Sequence, residues 1–178
     1  MKAFLEESKG VVIFFDEGRF GLQPVVGRQW ARRGSKQRVS VLPGYRFFYI
    51  YAGVSPLTRE TFILYLPGVD TEIINVYLRE LSKEYKNQKV LIFMDRAGWH
   101  TSKKLSIPPN IQIELLPPYS PELNPVEHLW QWLRRHSCRN RMFSNLDEVM
   151  NTITTAFKTL SSNERKHLCH CNYLLHYK

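Results

Sequence analysis

Three acids stand where apolar segments of the chain would present them. "VVIFFDE" runs from Val11 to Phe15 and then reaches Asp16, and "VLIFMDR" runs from Val90 to Met94 and then reaches Asp95. "SPELNPVEHLW" carries Glu122 and Glu127. Short continuous apolar runs of this kind read as strands buried on both faces. An acid at the end of such a strand leaves the core at the edge of the sheet, where α/β folds commonly bind ligands. Two strand-end aspartates and a glutamate at a helix start could converge on one point, and carboxylates held that close repel one another unless a cation sits among them. Oxygen-only donors favour Mg²⁺ or Mn²⁺, and two such ions roughly 4 Å apart form the clamp used for phosphodiester chemistry. One ion activates a water or a 3′-hydroxyl, and the other stabilises the leaving oxygen. Each acid also has a plain structural reading. Asp16 or Asp95 can serve a turn or cap, and Glu127 falls at N3 behind Asn124, the acceptor position of a capping box. The local pattern leaves both readings open.

The elements that must position these acids can be read from periodicity. Besides the two strands above, "RFFYIYAGV" (46–54) and "TFILYLPG" (61–68) read as a hairpin, and "IQIELLP" (111–117) as a fifth strand. "DTEIINVYLRELSKEYK" has Ile73, Val76, Tyr77 and Leu81 at roughly helical spacing, with Asp70 as N-cap. A stiff connector, "PPYSPELNP", leads to a helix with Asn124 as N-cap and Pro125 at N1. Its apolar stripe is Val126, Leu129, Trp130 and Leu133. "SNLDEVMNTITTAFKTL" is a further helix, capped by Ser144 or Asn145. The order implies a mixed α/β sheet flanked by helices. No Gly-rich phosphate loop of either nucleotide-binding type occurs, which disfavours a nucleotide-cofactor enzyme.

At 178 residues, 43% hydrophobic and 13% aromatic, the chain is long and apolar enough for one ordered domain. Its net charge of +9 is concentrated. From Gly18 to Arg59 there is no acid, while Arg19, Arg28, Arg32, Arg33, Lys36, Arg38, Arg46 and Arg59 fall there, and "RRHSCRNR" (134–141) is a second basic cluster. One-signed patches attract polyanions. No apolar run has the length of a membrane span or a secretory h-region, so a cytoplasmic protein is expected. The three cysteines, Cys138, Cys169 and Cys171, do not form a disulfide framework. "HLCHCNYLLH" groups His167, Cys169, His170, Cys171 and His176, but its C-x-C spacing without a second Cys pair favours ordinary residues over a zinc site.

"FFDEGRFGL", "FMDRAGWHTSKKL" and "LPPYSPELNPVEHLWQWLRR" resemble, in order and spacing, the catalytic domain of Tc/mariner-type DDE transposases, with the bacterial insertion-sequence branch nearest. The likeness runs from about residue 10 to 140. It implies an RNase H-like (retroviral integrase-like) mixed five-stranded sheet flanked by helices, and an acidic triad binding two Mg²⁺ ions, with Mn²⁺ able to substitute. The glutamate after Asn-Pro-hydrophobic maps to Glu127 rather than Glu122, and Asp16 and Asp95 map to the two aspartates. The 31 residues between Asp95 and Glu127 are slightly short of the family's usual spacing, and Arg96 stands where many relatives carry Asn. His100 matches the family's histidine in the second motif, where it would contact DNA or orient a carboxylate, or serve the fold alone.

The resemblance implies a DNA partner, both transposon ends and target, cut and joined by in-line transesterification. DNA contacts are expected at Arg28, Arg32, Arg33, Lys36, Arg38, His100, Lys103, Lys104, Arg134 and Arg135. Relatives carry an N-terminal helix-turn-helix region; with the first strand starting at residue 11, either another polypeptide or reading frame is expected to supply that region, or the chain is an isolated or truncated catalytic half. The chain is accordingly expected as a single catalytic domain over 1–178, with a C-terminal helical segment over 141–178, a homodimer in the DNA complex and nucleoid association in a bacterium. Two alternatives share the same residues: an RNase H-like nuclease not tied to transposition, and a non-catalytic DNA-binding remnant.

Overall fold

Alternation along the first strand explains the layering. Val11, Ile13 and Phe15 face one side of the sheet, and Val12 and Phe14 the other, each group joining its own buried cluster. In the computed structural model, which describes residues 4, 10–28, 30–35, 38 and 44–171, five strands form one sheet. They are β1 (Val11–Gly21), β2 (Phe47–Val54), β3 (Thr61–Leu66), β4 (Val90–Met94) and β5 (Ile111–Leu115). Their order is β3-β2-β1-β4-β5. β1–β2 and β2–β3 are antiparallel, whereas β1–β4 and β4–β5 are parallel.

Helices cover both faces. α1 (Thr71–Glu84) buries Ile74, Tyr77, Leu78 and Leu81 against the Val11–Ile13–Phe15 side. Its Asp70 cap accepts a hydrogen bond from the Ile73 amide at 2.8 Å, as its sequence predicts. On the other side lie α2 (Val126–Leu133), α3 (Leu146–Thr159) and α4 (Ser162–Leu168). Val126, Leu129, Trp130 and Leu133 are the expected stripe of α2, and all four are buried. Gly53 of β2 permits a close approach: a Cβ there would meet the buried Tyr77 hydroxyl at 2.6 Å.

Three features differ from the sequence expectation. The first strand does not stop at Phe15: β1 continues to Gly21, pairing with β2 throughout, while its pairing with β4 ends at Phe14 opposite Phe93. Asp16 therefore sits inside a strand, at the step where the parallel neighbour falls away. The apolar run ended there because the sheet beyond it is only partly covered, not because the strand ended. Second, α2 runs on into a π-helical segment, Arg134–Cys138, and a 3₁₀ turn, Pro121–Leu123, precedes it. Third, the third and fifth strands of the reading are trimmed, β3 ending at Leu66 and β5 at Leu115. Among the described residues no helix is long and apolar enough to cross a membrane.

Candidate active site

Asp16, Asp95 and Glu127 come from three separate elements and line one groove of about 460 Å³. Pro117, Pro118, Tyr119 and Pro121 form its other wall. Tyr119 is fully exposed and has a positive φ of 56°, held between prolines whose own backbone angles are fixed.

Strand alternation turns Asp16 toward α2. Its Oδ2 accepts a hydrogen bond from Trp130 Nε1 at 2.8 Å. Gly18 clears the space for that indole, since a Cβ there would lie 3.0 Å from Trp130 ring atoms. Burial pushes the Asp16 carboxyl up to about 7, the Trp130 bond opposes this, and the charges of Glu17 and Glu127 add to the rise. Burial and its acidic neighbours therefore disfavour the ionised form of this acid, opposed by the Trp130 bond.

Asp95 follows β4 and is largely exposed, yet its orientation is fixed. Its Oδ1 accepts from the Ala97 amide at 3.0 Å and from His100 Nδ1 at 2.6 Å. The His100 bond holds the Asp95 carboxyl below the usual carboxylate range. Arg96, the departure noted in the sequence, donates from Nε to the Leu116 carbonyl at 3.2 Å, tying this loop to the end of β5.

His100 is buried, 3% exposed, with both ring nitrogens against carboxylates. Its Nε2 lies 2.9 Å from Glu17 Oε1. Burial lowers the imidazole, but the bonds to Asp95 and Glu17 outweigh it and raise the ring to about 9. Near neutral pH both nitrogens therefore carry protons and both donate. The sequence reading missed Glu17. The signal was present in the Asp-Glu pair: once the strand continues past Asp16, alternation must send Glu17 to the opposite face, under the loop that follows β4.

Asn124, rather than Glu127, holds the start of α2. The Asn124 side chain is buried, donates to the Phe15 carbonyl of β1 at 2.9 Å and accepts from the Val126 amide at 3.1 Å. It stitches α2 onto the strand bearing Asp16 and caps the helix without help from Glu127. Among the described residues the Glu127 carboxylate makes no hydrogen bond, so no reciprocal capping box forms. Glu122 is exposed in the 3₁₀ turn.

The donor set suits a hard divalent cation: carboxylate oxygens alone, one of them on a partly buried acid that two other acids repel. Among the described residues no three His, Cys, Asp or Glu side chains are preassembled as an ion cage, so the three acids rim the groove as separate groups. Cys138, Cys169 and Cys171 are buried in the α2–α4 core, and His167 and His170 are exposed, while His176 lies outside the described residues.

Of the expected DNA contacts, Arg28, Arg32, Arg33, Arg38, Lys103, Lys104 and Arg135 are exposed. Arg134 is half-buried over the Phe20 ring, and Lys36 lies outside the described residues. The two basic clusters of the sequence meet. Gly27 and Asn140 exchange hydrogen bonds of 3.0 and 3.1 Å, Val25 bridges Arg139, and Arg19, Arg46 and Arg134 line one groove.

The fold recurs in known proteins. The fold is RNase H-like and is shared with the Mos1 strand transfer complex, with a TM-score of 0.67, 16% identity, and coverage of 89% of this chain and 50% of that one. The Mos1 transposase paired-end complex with left transposon end gives a TM-score of 0.69 at 14% identity, covering 95% and 55%. In sequence, protein y4pE/y4sA of Sinorhizobium fredii is 37% identical over 113 residues, 63% of this chain and 84% of its own. The insertion element IS630 39 kDa protein of Shigella sonnei is 28% identical, covering 84% of this chain and 45% of its own. The Tcb2 transposase of Caenorhabditis briggsae is 28% identical, covering 79% and 59%. The chain thus spans about half the length of the insertion-element, transposase and Mos1 proteins it matches. Residues 11–150 match the family described as DDE superfamily endonuclease. That stretch is most of the sequence, and the chain belongs to this family, related to the insertion-element and Tc/mariner-type transposases.

Proposed function

We propose that the chain is the catalytic part of a DNA transposase, cutting DNA strands at element ends and joining the freed 3′-hydroxyls to target DNA. The observation that carries this is the groove rimmed by Asp16, Asp95 and Glu127 on three different elements, with the ionised form of Asp16 disfavoured by burial and its acidic neighbours. The three carboxylates would hold two Mg²⁺ or Mn²⁺ ions, which supply activation of the attacking oxygen and charge stabilisation at the leaving oxygen. Mos1 paired-end complexes have been crystallised with Mn and with Mg, which supports that choice.

The chain's own residues do the positioning. Trp130 fixes one oxygen of Asp16, Asn124 fixes α2 against β1 so that Glu127 faces Asp16, and the Asp95 loop is anchored by Arg96. Phosphates approach a surface on which the two basic clusters adjoin, and contacts of that type hold DNA without reading its sequence. A helix-turn-helix segment or polypeptide would supply end recognition, and a second copy of the chain would pair the two ends.

Plasmid nicking in Mg²⁺ or Mn²⁺ tests the proposal, with wild type and Asp95→Asn compared. Nicking by wild type alone supports it; equal activity in both proteins would sink the triad assignment.

A further inference from the structure

Two acids follow one another on β1, and only Asp16 reaches the groove. Glu17 faces the opposite side, with its side chain only 7% exposed. Its Oε1 accepts from Trp99 Nε1 at 3.1 Å and from His100 Nε2 at 2.9 Å. His100 in turn grips Asp95 Oδ1 at 2.6 Å, and Phe15 meets the imidazole edge-on at a centroid separation of 5.7 Å. The chain of contacts therefore runs from β1, beneath the sheet edge, to the loop after β4. Asp95 Oδ2 takes no hydrogen bond among the described residues, and Asp95 lines the groove.

We infer that Glu17 and His100 form a positioning pair for Asp95, resting on the reading of Asp95 as a metal ligand. Glu17 fixes the ring of His100, His100 occupies Asp95 Oδ1, and Oδ2 alone is left for a divalent cation. Asp95 otherwise stands on an exposed loop, where a carboxylate would sample several rotamers and offer either oxygen. Outer partners that orient a ligating carboxylate typically change metal affinity by about 10- to 100-fold when removed. The geometry assigns that role to a residue adjacent in sequence to Asp16, so one strand serves two carboxylates through its two faces.

The test is the Mn²⁺ dissociation constant of the full chain by titration calorimetry at one pH. Circular dichroism melting is recorded for every variant. Glu17→Leu and His100→Ala are expected to weaken Mn²⁺ binding by about 10- to 100-fold. His100→Asn, whose amide N–H can replace Nδ1 at Asp95 Oδ1, is expected to recover most of that loss. Asp95→Ala separates the two ideas. If it leaves Mn²⁺ binding unchanged, Asp95 is no ligand, and both the proposed function and this inference fall. If Asp95→Ala abolishes binding while Glu17→Leu and His100→Ala bind as wild type, the positioning role alone is overturned. Where Glu17→Leu or His100→Ala does not fold, Glu17→Gln and His100→Asn decide. A loss of about tenfold or more in Glu17→Gln supports the pair, the lower end of what outer partners contribute. A smaller loss in Glu17→Gln, or a loss in His100→Asn as large as the about 10- to 100-fold expected on removing the partner, refutes it.

Discussion

Replacing Asp16 by Asn should make the metal-free protein more stable, and more so at high pH. Burial together with the charges of Glu17 and Glu127 raises the Asp16 carboxyl from 3.8 to about 7 despite the Trp130 bond. At about 1.36 kcal/mol per unit, that rise corresponds to an upper bound of roughly 4 kcal/mol of stability forgone by the ionised acid. The groove is open to water, and screening there brings the expected gain to about 2 kcal/mol. The sign follows from proton binding. Below pH 3.8 both folded and unfolded wild type are protonated at this site, and the two proteins differ little. Between 3.8 and about 7 the unfolded chain has released the proton and the folded chain has not, so wild type loses ground to Asp16→Asn as pH rises. Above 7 the difference levels off. The asparagine oxygen still accepts the Trp130 N–H, so packing is retained. Urea denaturation in a chelating buffer from pH 4 to 8 measures the effect, and a chain of this size should gain about 4–8 °C in Tm at pH 8. Added Mn²⁺ should then raise the Tm of wild type and not that of the variant. An Asp16→Asn protein that is less stable than wild type at pH 8 without metal, or a difference flat with pH, would refute this reasoning.

Other expectations follow from the same contacts. Trp130→Phe keeps the aromatic packing but removes the N–H from Asp16, and should cost about 1.5–3 kcal/mol at pH 8 by urea denaturation, as loss of a hydrogen bond to a charged group does. Asn124→Ala leaves the Phe15 carbonyl and the Val126 amide unpaired, so roughly 2–4 kcal/mol should be lost and Mn²⁺ affinity should fall because Glu127 is no longer fixed against β1. DNA binding by the chain should weaken steeply with salt. Each phosphate contact removed by Arg32→Ala or Arg33→Ala should lower the log–log salt slope by about one, read by fluorescence anisotropy on two unrelated duplexes that bind equally.

The strands, the two faces of the sheet and the stripe of α2 were legible because period-2 and helical apolar spacing dominate there. Asp16 and Asp95 stood out as acids following apolar runs, whereas the family resemblance, not local spacing, singled out Glu127. Burial pattern alone could not show that β1 runs on past Asp16, because strand pairing outlasts the apolar run once β4 ends. That error hid Glu17, since a residue after a strand end has no assigned face. Glu127 was ambiguous for a different reason: Asn124 satisfies the helix amide and the β1 carbonyl together, a long-range bond that local spacing does not encode. The depth of His100 was not legible, because it depends on the path of the loop after β4. The meeting of the two basic clusters through Gly27 and Asn140 likewise depends on tertiary pairing across 113 positions.

The central claim is that Asp16, Asp95 and Glu127 jointly hold divalent metal. A crystal of the full chain soaked in Mn²⁺ and measured at the manganese absorption edge tests it directly. The account predicts anomalous density in the groove between these three side chains, with oxygen distances near 2.1–2.3 Å of the kind hard divalent ions take. Asp95 should contribute Oδ2 while Oδ1 stays on His100. Groove density absent at saturating Mn²⁺, with the three acids still apart, would contradict the account.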